Sequence, residues 1–120
     1  MSISSTVATL ARALAAHLRS GHPAAAFLGR LEQIAAMPAF VGRLDQWEAP
    51  LLPMRADKQR IASDPAYAAA VAILELGRSN MYTEIEAEIG EEYFARASEA
   101  LARLGVAGVP ARDAVDLTSW

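Results

Sequence analysis

Apolar positions along this chain recur every three or four residues, a spacing that predicts helices rather than strands. The first helix is expected to begin near Ser4 or Ser5 and to end before Gly21. A second helix is expected to open at His22-Pro23, because proline is tolerated in the first turn. The apolar stripes of these two helices are Val7, Leu10, Leu14 and Leu18, and then Phe27, Leu28, Leu31, Ile34 and Ala35.

Proline divides the middle of the chain. Pro38 interrupts the second helix, and residues 39–48 are expected to form a third, short one. Residues 48–57 form a proline-containing linker, and residues 55–63 are expected to form a short polar helix. Asp64-Pro65 then predicts a helix start, since it combines a capping carboxylate with a first-turn proline.

The second half of the chain is expected to hold two longer helices. The alanine-rich helix after Pro65 is expected to kink or end at Gly77 or at Ser79-Asn80. The last helix has a weak point at Gly90 and is closed by Gly105. The apolar stripe of the alanine-rich helix is Val71, Ile73, Leu74 and Leu76. The stripe of the last helix is Ile85, Ile89, Tyr93, Phe94, Ala97, Leu101 and Leu104.

These elements predict an all-α fold, a single-domain bundle of five or six short helices with an irregular C-terminal tail. A chain of 120 residues is the size of one domain. Residues 1–105 are expected to form the bundle. Residues 106–120 lack an alternating stretch long enough for a strand, and we expect this tail to pack on the bundle or on a partner.

Composition restricts the possible functions. With 53% hydrophobic and 21% charged residues the chain should fold, and its formal charge of −3 argues against general nucleic-acid binding. The absence of cysteine excludes disulfides, thiolate metal sites and cysteine nucleophiles. The N-terminal segment does not have the pattern of a signal peptide, and no membrane span is predicted. We therefore expect a soluble, cytoplasmic protein.

A cluster of glutamates is the most conspicuous charged feature. No Lys or Arg lies between Arg78 and Arg96 to balance it, and its members are Glu84, Glu86, Glu88, Glu91 and Glu92. On a continuous helix Glu84, Glu88 and Glu91 share one arc. The cluster is either a solvated face, an acid with a raised pKa, a metal site, or a surface that meets an Arg-rich partner such as the region of Arg55, Lys58 and Arg60 in a second copy.

The metal interpretation is disfavoured, because bundle carboxylate sites use Glu-x-x-His pairs and neither His17 nor His22 has that spacing. We expect no metal and no cofactor. His17 is expected to be a packing residue and His22 a capping residue. The sequence contains no Gly-x-Ser-x-Gly or Ser-x-x-Lys motif that would mark a catalytic serine. The basic region of Lys58 and Arg60 is either a solvated turn or a site for an anionic ligand.

Two further groups of residues are candidate sites. Arg78, Asn80 and Tyr82 interrupt an apolar pattern and, with Glu84, would form a ligand pocket if they were buried together. Otherwise Ser79 or Asn80 simply caps the next helix. Trp47 and Trp120, together with Glu84, Glu88 and Glu91, are candidates for an interaction surface.

The sequence thus favours a non-catalytic helical interaction or regulatory protein that associates with itself or with another protein. This hypothesis depends on the number of apolar stripes and on the acidic surface. The alternative is a small-molecule-binding or cofactor-independent enzyme domain with a pocket between helices. In that case Arg78, Asn80, Tyr82 and one glutamate would supply the polar groups.

Overall fold

The structure is a computed structural model that describes residues 1–37, 57–79 and 86–117, with the backbone alone at 78, 79 and 86–89. Within these ranges the chain forms helices and no strand, which confirms the predicted all-α bundle. The predicted helix at 39–48 and most of the linker at 48–57 lie outside the described residues. The elements are α1 (Ile3–His17), α2 (Pro23–Ala35), α3 (Lys58–Ser63), α4 (Pro65–Ser79), α5 (Glu86–Arg103) and a 3₁₀ turn at Arg112–Ala114.

Helix α1 begins earlier than its serines suggested. Ser2 is the N-cap, and its hydroxyl accepts a hydrogen bond from the Ser5 N–H at 3.2 Å. The prediction of a start near Ser4 or Ser5 is therefore wrong by about two residues. Ile3, the first residue of the helix, is fully buried in the core.

The next helix boundaries follow local chemistry closely. Helices α2 and α4 begin at Pro23 and Pro65, as the two dipeptides predict. Helix α4 passes through Gly77 without ending, because the cost of one glycine, about 1 kcal/mol, is small beside the apolar burial on this helix. It reaches Ser79, the first of the two residues predicted to end it.

Helix α5 ends at Arg103 and is closed by Gly105, as predicted. Gly105 has φ +72°, and its N–H donates to the carbonyl of Ala102 at 3.0 Å. The N–H of Val106 donates to the carbonyl of Leu101 at 3.0 Å. This pair of bonds is a Schellman motif, in which a left-handed residue satisfies carbonyls that the helix leaves unpaired.

Helix α4 is the centre of the described bundle. It packs against α1, α2, α3 and α5, and α1 also packs against α2. The largest fully buried side chains lie on four of these helices: Ile3, Leu10, Leu14, Leu28, Leu31, Ile73, Leu74, Leu76 and Leu101. None of them lies on α3, which is only six residues long and buries no side chain.

The described part of the tail contributes to the same core. Val106, Val115 and Leu117 are buried within it. The ammonium group of Met1 donates to the Ala114 carbonyl at 2.6 Å, and the N–H of Asp116 donates to the Met1 carbonyl at 2.7 Å. Residues up to Leu117 therefore lie against the start of α1. The domain boundary at residue 105 stays a prediction.

A search of the helices in the described ranges found no segment with the length and apolar character that crossing a bilayer requires.

Candidate functional site

Most residues of the predicted ligand pocket and interaction surface cannot be placed. Arg78 lies in the last turn of α4 and Glu88 in the first turn of α5, but their side chains are outside the described residues. Five further members are wholly outside them, namely Trp47, Asn80, Tyr82, Glu84 and Trp120, and Glu91 is the member whose side chain is described. For these residues the two sequence-based hypotheses stay predictions.

Glu91 has a counter-charge that the local sequence did not suggest. Arg112, in the 3₁₀ turn of the tail, binds both of its carboxylate oxygens, and the Nε to Oε2 distance is 2.6 Å. The hydrogen bond from Arg112 lowers the pKa of the Glu91 carboxyl below its ordinary value. The two residues are 21 positions apart, so inspection of neighbouring residues could not find the pair. Arg112 also donates to the Val115 carbonyl at 2.8 Å, a bond within the tail, so the guanidinium that binds Glu91 of α5 is held by the tail backbone.

Other carboxylates on α5 pair along the helix itself. Glu92 is bound by Arg96 and Glu99 by Arg103, each four positions further on. All four side chains are more than half exposed, so each pair contributes little to folding. The two described members of the acidic cluster, Glu91 and Glu92, therefore lie on a solvated face and have partners in their own chain.

The two histidines have different environments. His17 is exposed at the end of α1, so the expected packing role is wrong. His22 is buried and is the N-cap of α2, as predicted. Its Nδ1 accepts a hydrogen bond from the Ala24 N–H at 3.0 Å. Because a backbone N–H can only donate, Nδ1 must present a lone pair, and the ring proton is assigned to Nε2.

The Nε2 atom of His22 lies 3.0 Å from Oδ2 of Asp64. Asp64 is the residue between α3 and α4, a bend that we call the elbow. Its other oxygen, Oδ1, accepts a hydrogen bond from the Ala66 N–H at 3.0 Å and so caps α4. Asp64 thus caps α4 and contacts His22, which caps α2. The sequence predicted both caps but not their contact, which spans 42 positions.

A shallow opening of about 470 Å³ lies beside this pair. We call it the junction cleft, and it is lined by His17, Leu18, Arg19, His22, Ser63, Asp64, Pro65, Ala66 and Leu104. Its buried imidazole uses both nitrogens for bonds within the protein. In this arrangement His22 has no free lone pair with which to take a proton from a substrate.

A second opening has a more apolar lining. It has a volume of about 250 Å³, lies where α3, α4 and α5 meet, and is named here the elbow groove. Its lining residues are Ile61, Ala62, Pro65, Ala68, Ala100 and Arg103. Four of them are alanine or proline, so another helix could approach the backbone closely at this surface. Lys58 and Arg60, both exposed, precede the groove on α3.

Within the described part of the chain, no group of three or more His, Asp or Glu side chains is placed to share a metal ion.

Comparison of the chain with protein-family models, with curated proteins and with solved structures finds no match.

Proposed function

We propose that this chain is a non-catalytic helical interaction protein and that it binds a second copy of itself through the elbow groove. The observation that carries the proposal is the groove itself. It is an apolar surface open to solvent, bounded on one side by a helix that buries no side chain of its own. An exposed apolar surface next to charged residues is typical of a protein contact.

The shape of the groove supports a helical occupant. Ala62, Ala68 and Ala100 project only a methyl group, and Ile61 adds one larger aliphatic side chain. Small side chains let two helices come close enough for extensive van der Waals contact. A flat or strongly polar partner surface would leave this concave apolar lining in contact with water.

Charge favours a second copy as the occupant. Lys58 and Arg60 are exposed beside the groove, while the first half of α5 carries Glu86, Glu88, Glu91 and Glu92. Of these glutamates, Glu91 is paired with Arg112 and Glu92 with Arg96 within the chain. One molecule therefore carries both a basic end and an acidic end. Docking the basic end of one copy on the acidic end of another would place opposite charges together and steer the encounter.

The non-catalytic part of the proposal is supported by His22. A general acid or base needs a ring nitrogen that reaches the substrate, but here one nitrogen caps α2 and the other contacts Asp64. The alternative function, a ligand pocket that uses Arg78, Asn80 and Tyr82, depends on side chains outside the described residues. It stays the second hypothesis.

The experiment that tests the proposal is the solution mass as a function of protein concentration, measured by light scattering and sedimentation equilibrium. We expect the wild-type chain to associate and Ala62→Glu to be monomeric, because a larger carboxylate side chain would fill the apolar groove and would face the acidic end of the second copy. Ala26→Glu makes the same change at an exposed position of α2, away from the groove, and should associate like the wild type. A wild-type chain that stays monomeric at every concentration contradicts the proposal.

A further inference from the structure

The position of α3 decides whether the elbow groove exists, because Ile61 and Ala62 belong to α3 while Pro65 and Ala68 belong to α4. Helix α3 makes few contacts with the other described helices. It is six residues long, and among the described elements its principal contact is with α4. A helix of this length is not stable alone, so its orientation depends on the elbow that joins it to α4.

Three hydrogen-bonding groups of Asp64 bond to α3 and α4, the two helices that it joins. Its backbone N–H donates to the Arg60 carbonyl at 2.7 Å and so closes the last turn of α3. Its carbonyl accepts from the Ala68 N–H at 3.2 Å, and Oδ1 accepts from the Ala66 N–H at 3.0 Å, so both groups belong to the first turn of α4. These bonds tie the elbow to its own two helices.

Among the described residues, the remaining oxygen, Oδ2, ties the elbow to a different part of the bundle. It contacts His22, whose side chain is 6% exposed and whose ring is fixed by the Ala24 N–H. The His22 ring also lies 5.6 Å from the ring of Tyr67, centroid to centroid. Arg60 of α3 in turn stacks over Tyr67, with 4.8 Å between its guanidinium carbon and the ring centroid.

We infer that His22 is a positioning residue for the elbow groove: through Asp64 and Tyr67 it fixes α3 relative to α2, although it does not line the groove. This inference rests on the proposed function, because the groove matters only if a partner binds there. Its physical basis is that a part-buried hydrogen bond from a fixed imidazole to a carboxylate that already caps α4 restricts rotation of the elbow.

The two bonds of His22 can be separated by substitution. In His22→Asn the amide oxygen occupies nearly the place of Nδ1, and asparagine is a good N-cap, so the bond to Ala24 is retained. The shorter side chain does not reach Asp64. Asp64→Asn keeps the oxygen that caps α4 and presents an N–H₂ donor to the Nε2–H of His22, so no hydrogen bond can form between them. Both variants remove the same contact and spare the caps.

The first readout is the distance between α2 and α3. The chain has no cysteine, so spin labels can be placed on Ala26→Cys and Gln59→Cys, two exposed positions, without removing native thiols. Labelled protein is diluted into unlabelled protein so that only distances within one chain are observed. Double electron–electron resonance should give a narrow distribution in the wild-type background and a broad one in His22→Asn and in Asp64→Asn.

The second readout is self-association. Both variants should weaken it by roughly tenfold, the factor expected when one charge-assisted hydrogen bond no longer holds the groove in shape. The double variant should be no worse than either single one, because both remove one contact. Circular dichroism at the working temperature should show unchanged helix content, which separates loss of position from unfolding.

The outcomes distinguish the two proposals. An associating wild type with an unchanged label distance in both variants overturns the role of His22 and leaves the proposed function intact. A broad distance distribution with unchanged association also overturns it, because the groove would then not depend on the elbow. A wild type that never associates overturns the proposed function, and with it this inference.

Discussion

The Glu91 carboxylate is exposed, yet its pKa lies below the ordinary value because Arg112 donates to both of its oxygens. A carboxyl with a lowered pKa in the folded chain stabilises the fold above its unfolded pKa. That contribution is lost as the pH falls through its folded pKa. Glu91→Gln should therefore unfold at lower urea concentration than the wild type at pH 7, and the difference should disappear at pH 2.

Urea titrations at half-unit steps from pH 2 to pH 7 check this prediction. Glu99→Gln is the matched control, since Glu99 lies on the same helix and pairs with Arg103 within that helix. It reports the effect of losing one exposed carboxylate of α5 without involving the tail. A difference between Glu91→Gln and wild type that stays constant over the whole pH range would contradict the assignment.

Glycine has opposite roles at two positions where an added Cβ would meet no atom within 4 Å. Gly105 has φ +72°, so Gly105→Ala would force alanine into a left-handed conformation. We expect it to destabilise the fold by about 1 kcal/mol. Gly29 lies inside α2, and Gly29→Ala should stabilise by about 0.5–1 kcal/mol, because it removes flexibility from the unfolded chain.

Equilibrium unfolding in urea measures both glycine variants. An added methyl group would clash with no neighbouring atom at either position. Changes of opposite sign in the free energy of unfolding would therefore reflect the backbone conformation and not packing. Equal effects at the two sites would show that the Schellman turn at Gly105 contributes nothing.

At the level of the helices, sequence reasoning succeeded where the signal is local. His22-Pro23 and Asp64-Pro65 each place an acceptor beside a first-turn proline, and both begin helices. It failed at the start of α1, where several serines offer equivalent caps and burial of Ile3 decides among them.

Contacts between distant parts of the chain could not be read from the sequence. His22 and Asp64 were recognised as separate caps, but whether two caps meet depends on how α2 and α4 pack. Arg112 likewise reaches Glu91 only because the tail folds back on α5. Of the proposed site, the sequence indicated Lys58 and Arg60, but not the groove, which requires three helices in their final arrangement.

The tail offers a prediction at the same scale. A chain that ends at Gly105 loses three buried aliphatic side chains, Val106, Val115 and Leu117, each worth about 1.5–3 kcal/mol of burial. That sum is comparable with the whole stability of a typical domain, so thermal unfolding by circular dichroism should show a largely unfolded chain at 37 °C. A chain that ends at Leu117 is the control and should melt cooperatively.

A chain ending at Gly105 that melted like the full-length protein would show that the tail residues are dispensable for the core. If instead it is unfolded as expected, deletion of the tail cannot be used to judge whether the tail contacts a partner, and point variants are needed for that purpose.

For the whole molecule, the proposed head-to-tail contact predicts a specific response to charge reversal. Lys58→Glu with Gln59→Glu makes the exposed start of α3 acidic, and acidic residues there suit the helix dipole, so folding should be unaffected. Glu88→Lys with Glu92→Lys makes the start of α5 basic. Each variant alone should be monomeric, because like charges then face each other across the contact.

An equimolar mixture of the two charge-reversed chains should associate again, because the acidic groove end of one is complementary to the basic helix start of the other. Sedimentation of each chain alone and of the mixture tests this, and salt should weaken the mixed complex, since exposed charges are screened within about 10 Å at 0.1 M. Association that persists in both single variants would place the contact elsewhere on the surface. Association that returns only in the mixture would show that the basic end of one chain contacts the acidic end of another. Because each end would then bind the opposite end of a further copy, the wild type would assemble into rings or filaments.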